Sequence, residues 1–398
     1  MHQGPVIDVT RLAARLLEGT QATGVDRVSL AYLRHFRGSA RALVRHWGRW
    51  ALLDGRDSAR MFAALLHEVP EPRQIVRATV LRSLLRPWDA APGCVLFNTG
   101  HSGLDLPDYA QRIRRRGLRP VYFLHDLLPL THPEFFREGE AALHRRRLRT
   151  MAETGHGLLL NSRMTEEDML HHAAVEGLRL PRHAVAPLCP EVLPAPMDEA
   201  PTEQPYFVMV GTIEPRKNHL LLLHVWRRLA QLGLPTMPRL VLIGRRGWEC
   251  EQVIDMLERC EALRPHVLEI ANCNDRELST WLRHARALLY PSFVEGFGLP
   301  LVEALAHGVP VVASTLPVFQ EVAGDIPDYV DALDGPGWAA CVQEYLQPQS
   351  SRRAAQLARL RHYAPRKWAE HFAVVQDLLD TMRVTRLQHA HQEEQTDA

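Results

Sequence analysis

The feature that most constrains this chain is an alternation that runs through both of its halves. Short apolar runs bounded by turn residues are separated by longer segments whose apolar positions recur at helical spacing. A strand followed each time by a helical crossover cannot pair antiparallel with its successor, so the pattern predicts mostly parallel sheets covered by helices. In the first half the predicted strands are Val6–Val9, Leu43–Trp47, Cys94–Asn98, Pro120–Leu124, Gly157–Asn161 and His183–Ala186. In the second they are Tyr206–Val210, Arg239–Ile243, Val267–Ile270, Ala287–Tyr290 and Val309–Ala313. A helix is expected from about Asn218 to Leu232. After Gly24, the positions of Val25, Val28, Tyr32, Leu33 and Phe36 form one helical face.

A chain of 398 residues exceeds what one hydrophobic core organises, which predicts two domains and a cleft between them. Residues 187–205 (PLCPEVLPAPMDEAPTEQP) lack periodicity and are rich in proline and acid, as a linker is. The expected division is a first domain at 1–195, a linker at 196–205 and a second domain at 206–365. A helix at 366–386 is expected to cross back to the first domain, its apolar stripe made by Trp368, Phe372, Val375, Leu378 and Leu379. A disordered polar tail is expected at 387–398.

The formal charge of +1 gives no field for nucleic acid, so no such partner is expected. Charge is uneven, however: residues 1–200 hold 27 Arg and no Lys against 22 acids, a balance of +5, while the remainder carries −4. Arg runs at Arg112–Arg119 and Arg145–Arg149 are read either as solvated helix faces or as contacts to an anionic membrane surface. The six scattered cysteines form no close pair, and no apolar run approaches the ~20 residues of a spanning helix. A cytoplasmic protein, at most peripheral on the inner face of a membrane, is the expectation.

The strand at 287–290 runs into Pro291-Ser-Phe-Val-Glu295-Gly-Phe-Gly-Leu-Pro300, and Pro300 opens a helix that Gly308 can close. A strand, a glycine loop and a helix N-terminus leave the N–H groups of Phe297, Gly298 and Leu299 free for an anion, with Gly296 and Gly298 admitting it close to the backbone. Glu303, read as lying in the first helical turn, is an acceptor for ribose hydroxyls, and Glu295 for sugar hydroxyls. The residues alone equally describe a turn whose carboxylate complements the helix dipole.

The stretch Glu295-Gly-Phe-Gly-Leu-Pro-Leu-Val-Glu303 resembles the E-x7-E element of the retaining glycosyltransferases called family 4 of the GT-B superfamily. The likeness extends to Gly211-Thr212-Ile-Glu214-Pro215-Arg216-Lys217-Asn218, to Leu240-Val-Leu-Ile-Gly244-Arg245 and to Asp275-Arg-Glu-Leu. The first half matches more loosely, at Thr23-Gly24-Val25-Asp26-Arg27-Val28 and at His125-Asp126-Leu-Leu-Pro129.

That resemblance implies an α/β GT-B fold of two facing Rossmann-like domains with a deep interdomain cleft. It implies a donor site at Gly211, Thr212, Arg216, Asn218, Gly244, Arg245, Gly296, Phe297, Gly298, Leu299 and Glu303. Lys217, one of only two lysines, inherits the neutralisation of the departing diphosphate. His125 at a strand end and Glu295 would face the sugar, while Gly24 and Asp26 belong to an acceptor or phosphate loop; Asp26 and Arg27 read equally as first-turn charges of the helix that follows. Thr212 stands where some members carry an arginine, so one phosphate contact is either missing or supplied by Arg216 or Arg245. No D-x-D occurs, so neither metal nor cofactor is expected.

The activity implied is retaining hexosyl transfer from a nucleotide-sugar to a saccharide or lipid-linked saccharide. HDLLPLTHPEFF and GTIEPRKN look most like bacterial mannosyltransferases of surface-polysaccharide and lipopolysaccharide assembly, implying GDP-mannose. A UDP-sugar donor, or a nucleotide-sugar epimerase on the same fold, are the alternatives.

Overall fold

A computed structural model of the chain describes residues 4–20, 22–83, 88 and 92–396, with side chains as far as Arg383. Two sheets account for the alternation. The first has seven strands, β1 (Val6–Asp8), β2 (Arg41–His46), β3 (Arg49–Leu52), β4 (Val95–Asn98), β5 (Arg119–Leu124), β6 (Gly157–Leu160) and β7 (His183–Val185), in the order β3-β2-β1-β4-β5-β6-β7. The second has six, β8 (Tyr206–Val210), β9 (Arg239–Ile243), β10 (Val267–Ile270), β11 (Leu288–Tyr290), β12 (Val311–Ser314) and β13 (Asp328–Val330), in the order β10-β9-β8-β11-β12-β13. In each sheet the strand order reverses about the first strand, which opens a crevice at the strands' C-terminal ends.

Two strands escaped the sequence reading. β3 pairs antiparallel with β2 through a tight turn, so no helical crossover marks it. β13 is a three-residue edge strand, DYV, too short to show a period. The helix expected from Asn218 spans His219–Gln231, and the residues after 386, expected as a disordered tail, continue the last helix, Trp368–Thr396. Residues 397–398 lie outside the described part.

The stripe on that last helix has a specific address. Leu378 and Met382 lie over Gly157 of β6, where an added Cβ would stand 3.2 and 3.1 Å from them, so the small residue lets the helix seat on the first sheet. His35 stacks on Phe372 at 3.7 Å between centroids, and Tyr32 Oη meets His371 Nε2 at 3.0 Å. His371 Nδ1 faces the Pro187 carbonyl at 3.1 Å and must donate to it, which leaves Nε2 to accept from Tyr32. Burial lowers this imidazole to about 4, so it is neutral at pH 7. A polar hinge is thus locked between the helix, the first domain and the start of the linker.

Candidate active site in the interdomain crevice

The loops that leave β8, β9 and β11 meet at the C-terminal edge of the second sheet. Gly244 ends β9 against the loop after β8: an added Cβ would lie 1.9 Å from the carbonyl oxygen of Gly211, so only glycine allows the approach. Beyond Gly211 the chain makes one turn of 3-10 helix, Pro215–Lys217, that aims both Arg216 and Lys217 at the loop after β11.

There the Lys217 ammonium donates to Glu295 Oε1 and to Tyr290 Oη, the latter at 2.9 Å. Arg216 reaches Glu295 Oε2 and Glu214 Oε1, each at 2.6 Å, and Ser292 Oγ donates to Glu295 at 2.8 Å. All four charged side chains are largely buried. Burial works against the Glu295 carboxylate, but Arg216 and Lys217 outweigh it and hold it at about 2. Lys217 is pushed down, by burial first and then by Arg216. Burial raises Glu214, with Arg216 and Lys217 opposing. An ammonium has three donors, and Lys217 uses two here.

Next to this cluster, Gly298 caps the helix Leu299–Ala306, with Pro300 at its second position. Among the described residues no group accepts from the N–H of Phe297, Gly298 or Leu299. Unpartnered amides at a helix N-terminus thus stand beside the ion cluster.

Glu303 differs from the expectation. It is the fifth residue of that helix, one turn further in than the first, and it is 3% exposed. Its Oε1 receives Arg27 Nη1 of the first domain at 2.5 Å, and Asp275 adds a weaker contact to Arg27 at 3.6 Å. Burial raises the Glu303 carboxyl while Arg27 opposes the rise. The two residues border a small pocket lined also by Val28, Leu188, Glu191 and Leu299.

The first domain closes against the glycine loop at more points. Ser162 Oγ donates to the Gly296 carbonyl at 3.0 Å, and an added Cβ at Gly296 would sit 2.7 Å from Asp126 Cβ and 2.8 Å from the His125 carbonyl. Gly24 comes against Leu299, where an added Cβ would be 3.1 Å from Cδ1. Glu321 accepts from the amides of Arg163 and Met164 at 2.7 and 3.3 Å, and Phe135 stacks on Phe293 at 5.3 Å.

His125 lies at the end of β5, 6% exposed, with Nε2 2.7 Å from the Thr99 carbonyl. A carbonyl only accepts, so Nε2 carries the proton. Burial lowers the imidazole, with the Thr99 bond opposing, and the neutral ring keeps Nδ1 as an acceptor.

Several expected ligands have other duties. Asp26 forms a capping box with Thr23 and pairs with Arg11 and Arg15, each at 2.8 Å, so its carboxylate shapes the loop. Asn218 Nδ2 donates to the carbonyls of Pro291 and Ala332, tying loops together. Arg216, expected at the phosphate in place of an arginine at 212, is instead committed to Glu214 and Glu295, and Arg245 is exposed. Glu214, Tyr290 and Ser292 were not singled out in the sequence. Arg27 was noted there only as a first-turn charge or loop contact, because nothing in a linear reading pairs positions 276 residues apart.

Residues 197–326 match the family described as glycosyl transferases group 1. They form a glycosyl transferases group 1 domain. It includes the whole cluster from Gly211 to Glu303, and the chain around it is similar to bacterial mannosyltransferases. One relative is the serotype-specific mannosyltransferase WbdA of Escherichia coli, 29% identical over 274 residues, 62% of this chain and 32% of that protein. Another is the O-antigen chain mannosyltransferase B of Escherichia coli, 30% identical over 244 residues, 60% of this chain and 64% of that protein. The chain thus spans about a third of the length of WbdA.

Among solved structures, Anabaena Alr3699/HepE in complex with UDP-glucose superposes with a TM-score of 0.63 over 96% of this chain and all of that one, at 15% identity. Sucrose-phosphate synthase from Thermosynechococcus elongatus does so with a TM-score of 0.59 over 98% of this chain and all of that one, at 14% identity. The fold around the group 1 domain is the two-domain GT-B arrangement. Among the described residues no helix is long and apolar enough to cross a membrane.

Proposed function

We propose that the chain transfers a hexose, with retention of anomeric configuration, from a nucleotide-sugar to a saccharide or lipid-linked saccharide during bacterial surface-polysaccharide synthesis. The observation that carries the reading is the Lys217–Glu295–Arg216 cluster set beside the unpartnered amides of Phe297, Gly298 and Leu299. A diphosphate arriving there meets the helix N-terminus and the one Lys217 N–H that Glu295 and Tyr290 leave over. Charge that grows on it as the glycosidic bond breaks is met by donors already in position, with no metal required.

Glu295 is too fully engaged to act as a nucleophile. Its part is to keep Lys217 charged and fixed, and any sugar hydroxyl it holds shares it with two cations. Glu303 takes the ribose once Arg27 yields it. His125 Nδ1 accepts a hydroxyl of the transferred sugar across the crevice. The departing phosphate takes the proton of the acceptor hydroxyl, so the acceptor enters on the face the diphosphate leaves.

GDP-mannose is the favoured donor, since the curated relatives above are mannosyltransferases. Retention, family 4 membership, independence of metal, and contact with an anionic membrane surface are parts of the same reading. Thermal-shift titration with GDP, UDP and ADP, followed by product analysis with GDP-mannose, tests it. The expected result is a shift with GDP and, with a mannooligosaccharide present, an α-linked product. Conversion of the donor to an epimer without acceptor would replace transfer with epimerisation.

A further inference from the structure

The turn between β2 and β3 is built at a steric cost that the fold does not explain. His46 pairs with Arg49, leaving Trp47 and Gly48 as a two-residue hairpin loop. Their φ angles are 46° and 70°, both positive, as in a type I′ turn. Asn-Gly is the pair that suits such a turn; a tryptophan in the left-handed region is strained by its Cβ. Nor is the indole packed away. It is 79% exposed, and its one recorded ring contact is His46, with centroids 4.4 Å apart. Strain combined with exposure of the largest apolar side chain marks a position kept for something outside the fold.

Register places that indole. Ala42 of β2 pairs with Ile7, Ile7 with Phe97 of β4, and Phe97 with Val121 of β5, which defines one level across the sheet. Trp47 follows Ala42 by five residues and His125 follows Val121 by four, so both rise beyond the C-terminal edge to nearly the same height. The order β2-β1-β4-β5 puts three inter-strand steps between them, a lateral separation of ~14 Å at ~4.8 Å per step. A single sugar cannot bridge that distance, but an oligosaccharide can. The strands between end at Asp8 and Asn98, whose side chains are buried against Arg45 and Tyr109.

We propose that Trp47 is a stacking platform for a distal sugar of an extended saccharide acceptor whose reacting end lies near His125. The C–H face of a pyranose ring carries partial positive charge and packs on the negative face of an indole. An exposed tryptophan carried on a tight turn at the C-terminal edge of the sheet matches that chemistry. The inference rests on the proposed glycosyl transfer and adds to it a preference for acceptors longer than one sugar.

The test compares wild type, Trp47→Asn and Trp47→Phe with a monosaccharide acceptor and with mannooligosaccharides long enough to span the crevice. Asparagine suits the turn, so the variant should fold, and an unchanged melting shift with GDP checks the donor side. On long acceptors Trp47→Asn should lower kcat/KM about tenfold through KM, the scale of one aromatic contact, with kcat intact and the phenylalanine variant recovering most of the loss. On the monosaccharide the variants should match wild type.

Equal kcat/KM at every acceptor length would overturn the platform while leaving glycosyl transfer standing. Unchanged acceptor kinetics with lost sedimentation on phosphatidylglycerol vesicles would overturn it in favour of a membrane contact. If wild type neither shifts with a nucleotide nor transfers to any acceptor, the proposed function fails first and the platform with it.

Discussion

Glu295 and Glu303 stand eight residues apart in one motif, both buried in the same domain, yet they are satisfied in opposite ways. Glu295 is closed off by Arg216, Lys217 and Ser292, all from its own domain. Glu303 receives its ion pair from Arg27, which arrives from the other domain. Their carboxyls accordingly shift apart. Arg216 and Lys217 hold Glu295 at about 2 against its burial, whereas burial keeps Glu303 above the usual range in spite of Arg27. One carboxylate is held wholly by its own domain, a preassembled site. The other takes its cation from across the crevice and, under the proposed function, exchanges it for the ribose.

The largest effect should come from breaking the preassembled side. Lys217→Ala is expected to lower kcat by about 10³-fold, the scale of losing a donor aimed at developing charge. It should also cost ~3 kcal/mol in urea unfolding, because a buried carboxylate loses a partner. Near-wild-type turnover in single-turnover kinetics would remove Lys217 from the role.

A smaller effect is expected on the exchangeable side. Glu303→Ala should weaken GDP about tenfold in calorimetry, a loss of roughly 1.4 kcal/mol. Arg27→Ala should leave GDP affinity equal to or better than wild type, since it frees the carboxylate. If both substitutions weaken GDP alike, Arg27 and Glu303 form one static ligand set and the contrast fails.

The smallest effect is on pH. The folded value of Glu295 is depressed, so its contribution to stability is present above about pH 4.5 and is lost as pH falls toward about 2. Glu303 has the opposite sign: its folded value is raised, so its ionisation costs stability as pH rises and the cost is relieved as pH falls. Urea midpoints between pH 3 and 6 should fall less steeply on acidification in Glu295→Gln than in wild type, and more steeply in Glu303→Gln. Identical slopes in the two variants would remove the distinction.

How much of this could be read in advance follows from what each feature depends on. The crossover pattern announced parallel strands because period and turn residues are local, whereas β3 and β13 carried no such mark. The glycine loop and the helix N-terminus after it were legible for the same reason, down to the free amides of 297–299. The partners were not. Thr23-Gly-Val-Asp26 reads equally as a ligand loop or as the first turn of a helix with its charges, and only the approach of Arg11 and Arg15 makes Asp26 a structural carboxylate. Asn218 reads as a donor contact until Pro291 and Ala332 are brought to its amide.

The sequence by itself determined two parallel α/β units and the glycine turn that opens a helix, because spacing along a strand, a turn or a helix fixes those within a few residues. Tertiary structure alone decided which charges cancel. Coulomb and hydrogen-bond energies depend on distance and burial, and folding sets both for Arg27 and Glu303 across the crevice as it does for Lys217 and Glu295 within one wall of it.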